Sequence, residues 1–194
     1  MTEDENLNHG DSRRGSLPEG PATGSIPTPG SIPASSPGGD WRADRIGSAH
    51  RGEKPTVLRR LGQGFAVIGD RQFLPGYAVL LTDDPSVTRL SDLPRARRAA
   101  YLADMERLAE AVERACRRLD PAFLRVNIEI LGNTDPYLHA HIWPRYAWEP
   151  TDRVRRPVWL YGEEYWRGSR YELDERHDGL RVAIGEELDR LGTG

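Results

Sequence analysis

Cysteine is nearly missing from this chain: Cys116 stands alone, which excludes an internal disulfide and a cysteine-based zinc site. Lysine is as scarce, because 26 of the 27 basic residues are Arg and only Lys54 is Lys. That skew reads as codon bias, since nothing physical requires arginine everywhere. No apolar run approaches the roughly 18 residues needed to span a bilayer, so no membrane partner is expected. A surplus of one charge is also lacking, with 27 basic against 30 acidic residues and a net charge of -3. The imbalance sits in residues 1–40, which hold Arg13 and Arg14 against six acidic groups. The near-neutral remainder argues against indiscriminate binding to nucleic-acid backbone, which needs excess Lys and Arg. The opening Met1 to Glu5 is acidic, without the basic and apolar regions of a secretory leader. A cytoplasmic protein is the expectation.

At 194 residues the chain is long enough for one domain with an appendage. Residues 1–40 are rich in Gly, Pro and Ser and contain no aromatic residue. Such a segment cannot bury enough apolar surface to offset its ordering entropy, so it is expected to be a disordered tail. Residues 41–194 form the predicted domain, opening with a polar, Arg-rich arm to Lys54. Phe65–Ile68 and Tyr77–Leu81 are short apolar strands joined by a segment with turn residues at both ends, and should pair antiparallel. A helix follows, capped by Asp92 with Pro94 in its first turn. Leu102, Met105, Leu108, Ala109, Val112, Cys116 and Leu119 form its apolar stripe. Residues 123–131 then alternate, with Leu124, Val126, Ile128 and Ile130 on one face, as in a half-buried strand. Leu138–Trp143 alternates too, irregular residues follow Pro144, and a last helix is expected from about Glu172 to Leu191. The sum is an α+β domain, an antiparallel sheet with a long helix between strand pairs and a helix at the C-terminus.

Two of the five histidines stand as His139-Ala140-His141. On a strand, residues two apart share a face, so both imidazoles project together. Neutral imidazoles bind metals, and one held in the right tautomer attacks phosphorus. The plain alternative is a histidine packed at a polar sheet edge. A His-x-His metal site needs further ligands, and Glu129 on the neighbouring strand is the one carboxylate within plausible reach.

The run Gly132-Asn133-Thr134-Asp135-Pro136-Tyr137-Leu138-His139-Ala140-His141-Ile142-Trp143-Pro144-Arg145 resembles the signature of the histidine-triad (HIT) nucleotide hydrolases and transferases. That signature is three His alternating with apolar residues, often followed by Pro-Arg and preceded by a Gly-Gln-Ser/Thr turn. Leu74-Pro75-Gly76-Tyr77-Ala78-Val79-Leu80 looks like the family's Pro-Gly-His-x-Leu segment. The resemblance covers about residues 60–147, with 148–194 as a C-terminal extension. Aligned on Pro144-Arg145, His139 takes the central, nucleophilic position and His141 the last. Gly132, Asn133 and Thr134 fall on the phosphate-contacting turn, with Asn in place of Gln. Tyr137 replaces the first histidine. The position of a ribose-binding Asn is Gly69, whose neighbour Asp70 can take its place. Asn127 is reached with a one-residue slip.

The resemblance implies hydrolysis or nucleotidyl transfer at an α-phosphate through a nucleotidyl-histidine. The substrate would be a nucleotide, such as a dinucleoside polyphosphate of the diadenosine tetraphosphate type. It implies no metal or other cofactor and a homodimer. His139 would attack, with its other ring nitrogen held protonated by a backbone carbonyl, and His141 would contact the phosphate. Arg145 would bind phosphate or cap the sheet edge. Two alternatives stay open: a nucleotide-binding module with little turnover, because Tyr137 replaces a triad histidine, and the His-x-His metal site. Arg153, Arg155 and Arg156 read as a solvated loop, His177 as a packed helical histidine, and Trp159, Tyr161, Tyr165 and Trp166 as cover over the core or a dimer contact.

Overall fold

The two apolar runs flanking the Gly69–Gly76 turn pair antiparallel, as β2 (Gly64–Ile68) and β3 (Ala78–Thr82). These belong to a computed structural model that describes residues 40–192. Apart from Asp40, the expected disordered tail lies outside the described residues. Five strands form one antiparallel sheet in the order β1-β2-β3-β5-β4, with β1 at Val57–Arg60, β4 at Phe123–Ile130 and β5 at His139–Tyr146. β1 is not foreshadowed by the sequence pattern, because only its Leu58 is buried while Arg59 and Arg60 face outward.

The long helix α2 (Arg95–Leu119) connects β3 to β4. Pro94 caps it, and Asp92 instead accepts from the Thr88 and Arg89 backbone in the preceding turn. α2 buries Leu108, Ala109, Val112 and Cys116 as the stripe predicts, and adds Tyr101, whose hydroxyl donates to the Leu80 carbonyl at 3.0 Å. Leu119 departs from the stripe and is exposed. Ala66, Ile68, Ala78, Leu80, Ala140 and Ile142 are fully buried and make up the sheet face that α2 covers. The last helix, α4 (Asp178–Leu191), packs on α2. It starts six residues later than the sequence suggests. Glu172 is instead bridged to Arg71, and Asp174 and His177 form a capping box on the short 3-10 turn Glu175–His177 that precedes the helix. Pro144 also fails to end its strand. The β3 ladder on β5 stops at Ile142, so the missing N–H at Pro144 removes no bond on that side.

The polar arm is more ordered than a surface strap. It forms the short helix α1 (Arg45–His50), capped by Asp44 and burying Ile46, Ser48 and Ala49. In the C-terminal extension, Tyr161, Tyr165 and Trp166 gather around Phe73, covering the core, while Trp159 is exposed. Among the described residues no helix is long and apolar enough to cross a membrane.

Candidate active site

Register fixes what shares a face. Val79 lies opposite His141 and Leu81 opposite His139, so both imidazoles project from the sheet face away from α2. They line a cavity of about 590 Å³ together with Tyr137, Tyr77, Gly69, Asp70 and Asp135. That volume lies in the usual range for small-molecule sites.

The two rings are held in different ways. His139 is buried, and its Nδ1 lies 2.8 Å from the Tyr137 carbonyl oxygen. A carbonyl only accepts, so Nδ1 carries the proton and Nε2 keeps its lone pair. His141 has its Nδ1 2.8 Å from the Tyr77 hydroxyl. Burial pushes ionisation of that hydroxyl far above the ordinary tyrosine value, so the phenol keeps its proton and is able to donate to Nδ1. In the tautomer that accepts from this phenol, His141 presents an Nε2–H. Burial, reinforced by His139, pushes the His141 pKa down to about 4, so this donor is neutral at physiological pH. The ring is clamped as well, since Tyr77, His141 and Trp143 form a stack in which Tyr77 and Trp143 lie 3.6 Å apart.

The stack explains Gly69. A Cβ at that position would overlap the Tyr77 ring, so a tyrosine at 77 and a side chain at 69 exclude each other. Asp70 does line the cavity, where its carboxylate is held 2.8 Å from Arg45. Gly76, with φ of 96°, must be glycine both for its backbone and because a Cβ would overlap Cys116 Sγ.

Other predicted site residues are placed elsewhere. Gly132, Asn133 and Thr134 are exposed and do not line the cavity. Asn127 lies opposite Trp143 on β4 and is likewise outside the cavity lining. Arg145 is 2% exposed, with Nε and Nη2 on Glu149 and further donors on the Arg153 and Arg156 carbonyls. Its donors are spent on holding the chain after β5, and it does not reach the cavity. The loop with Arg153, Arg155 and Arg156 supplies backbone carbonyls to Arg145 and does not line the cavity. Glu129 faces His141 across the ladder, its carboxyl pKa raised by burial and its Oε2 without a hydrogen bond. Among the described residues, no three His, Cys, Asp or Glu side chains are gathered as a metal-ligand set.

Sequence reasoning missed much of the wall. Arg42, Arg45 and Lys54 come from the N-terminal arm, and Trp166, Glu172 and Leu173 from the C-terminal extension. The signals available were a lone lysine and a tryptophan, Trp41, within an otherwise polar arm.

No protein-family model matches this chain, and neither does any curated protein. Solved structures do. A histidine triad protein from Sinorhizobium meliloti 1021 aligns with a TM-score of 0.58 at 20% identity, covering 76% of this chain and 94% of that one. A hypothetical histidine triad nucleotide-binding protein from Sulfolobus tokodaii strain7 gives 0.55 at 12% identity, covering 75% and 91%. A histidine triad protein from Marinobacter aquaeolei VT8 gives 0.52 at 19% identity, covering 70% and 89%. At these identities the likeness is one of fold, and the fold is that of the histidine-triad proteins.

Proposed function

We propose that this chain is a histidine-triad nucleotide hydrolase or nucleotidyl transferase that works through a covalent nucleotidyl-histidine at His139. The observation that carries the reading is the Nδ1–H to Tyr137 carbonyl bond at 2.8 Å, which leaves the Nε2 lone pair of a buried ring at a cavity wall. In the first step Nε2 bonds to the α-phosphorus, and the bond from phosphorus to its leaving group breaks, with the electron pair departing on that group. The proton stays on Nδ1, hydrogen-bonded to the Tyr137 carbonyl, which stabilises the cationic ring. His141, as a neutral N–H donor, faces charge that grows on the phosphoryl oxygens. In the second step water attacks phosphorus, the P–N bond breaks and the water proton passes to solvent. A nucleoside hydroxyl in place of water would make the reaction a transfer. Asp70 is suited to accept from a ribose hydroxyl. A homodimer is part of this reading.

A binding module with little turnover is the second reading. Tyr137 favours it, because burial and the neighbouring Asp135 raise the pKa of its hydroxyl well above the ordinary value, making it a poor proton donor. Incubation with a panel of dinucleoside polyphosphates and nucleoside phosphoramidates, with and without chelator, separates the readings. Turnover that resists chelator and vanishes in His139→Ala is expected. Binding of every substrate without turnover would overturn the enzyme in favour of the module, and activity that needs added zinc or manganese would favour a metal site.

A further inference from the structure

The cations that line the cavity are mostly committed. Arg42 pairs with Asp40, Arg45 with Asp70 and Arg71 with Glu172. Lys54 is the exception. It is 4% exposed, its Nζ has no hydrogen-bond acceptor, and the amine lies 3.8 Å from the centroid of the Trp41 ring. A buried ammonium without an acceptor is destabilising, and a methionine or leucine would fill the place without that cost. The residue is also the only lysine in a chain whose other bases are all arginine. A compact ammonium whose charge is left uncompensated in the empty site is suited to meeting an anion there.

We propose that Lys54, flanked by Arg42 and Arg45, forms an anion subsite in the cavity wall that holds a phosphate chain. What the bound phosphates belong to rests on the covalent reading above; the subsite itself does not. The chemistry beside His139 points the same way. An amine leaves phosphorus only when protonated, and the neighbouring groups are poor acids: His141 is neutral, and the Tyr137 hydroxyl is held protonated. A phosphate departs as an anion and needs no such donor. Substrates with a phosphate leaving group are therefore preferred to phosphoramidates.

The single lysine makes the test direct, because protein grown on [13Cε]lysine gives one side-chain signal. Burial, with repulsion from Arg45 and Arg42 outweighing attraction from Asp70 and Asp135, places its titration near 8 in the free protein. Saturation with inorganic tripolyphosphate is expected to raise that midpoint by about one unit or more. Calorimetry should show tripolyphosphate binding weakened about tenfold or more in Lys54→Met. In turnover, the same variant should raise KM for a nucleoside tetraphosphate about tenfold more than KM for a nucleoside phosphoramidate. An unmoved lysine titration, or equal tripolyphosphate binding by Lys54→Met, overturns the subsite even if His139 proves to be a nucleophile. A tripolyphosphate response that depends on Lys54 supports it even if no substrate turns over.

Discussion

At the scale of single residues, the difference between His139 and His141 is which ring nitrogen the protein occupies and with what. A carbonyl on one Nδ1 makes its Nε2 a lone pair; a phenol on the other can donate to Nδ1 and so leave its Nε2 as a donor. The second arrangement has a measurable cost in acid. The folded pKa of His141 is about 4 against an ordinary 6.5, so between those values the unfolded chain binds a proton that the folded chain does not. Stability is then full above pH 6.5 and falls as the pH drops towards 4, by up to about 3 kcal/mol from this group. Melting temperatures between pH 4 and 7 should show that loss, and His141→Asn, which cannot titrate, should flatten the curve. An unchanged slope in the variant would show that the ring is not held neutral by its surroundings. The pair was readable in the sequence because two-residue spacing on a strand has one geometric meaning. Lys54 was not, because a polar arm gives no periodic signal and its partners, Trp41 and the cavity, are made by the fold.

At the scale of elements, the strand that carries the histidines is anchored at its far end by a buried ion pair. Arg145 and Glu149 are both buried, and Glu149 also accepts from the Tyr146 backbone and the Tyr161 hydroxyl. Removing one partner leaves an uncompensated charge in the interior, which typically costs 3–5 kcal/mol. Glu149→Ala should therefore lose about that much in urea unfolding, while a loss under about 1 kcal/mol would show the pair to be solvated. Arginine after proline at a strand end gave no local hint of which role it takes, since Glu149 becomes its partner only once the chain turns back. The same limit explains α4. Leu173 fits a helical stripe by spacing, yet the bridge from Arg71 to Glu172 draws that segment onto the β2–β3 turn.

At the scale of the whole molecule, alternation along β4 was read correctly but its burial was not. The strand is at the sheet edge, and Leu124, Ile128 and Ile130 stay exposed, as does Leu119 at the end of α2. An edge with free backbone groups and an apolar face is a template for another strand, and a second copy of this chain is the occupant that the proposed homodimer calls for. Light scattering behind size exclusion should give twice the chain mass, and Leu124→Asp combined with Ile128→Asp should give a folded monomer. A wild-type monomer at high micromolar concentration would contradict the dimer without touching the site.

The central claim is that His139 Nε2 bonds to phosphorus. Rapid acid- or base-quench of the wild-type protein during turnover of a dinucleoside polyphosphate, followed by intact mass and 31P NMR, tests it most directly. The account predicts one nucleotidyl group per chain, stable in base, lost in acid as phosphoramidates are, and absent from His139→Ala. Steady turnover with no adduct in the wild type, or an adduct that persists in His139→Ala, would contradict it.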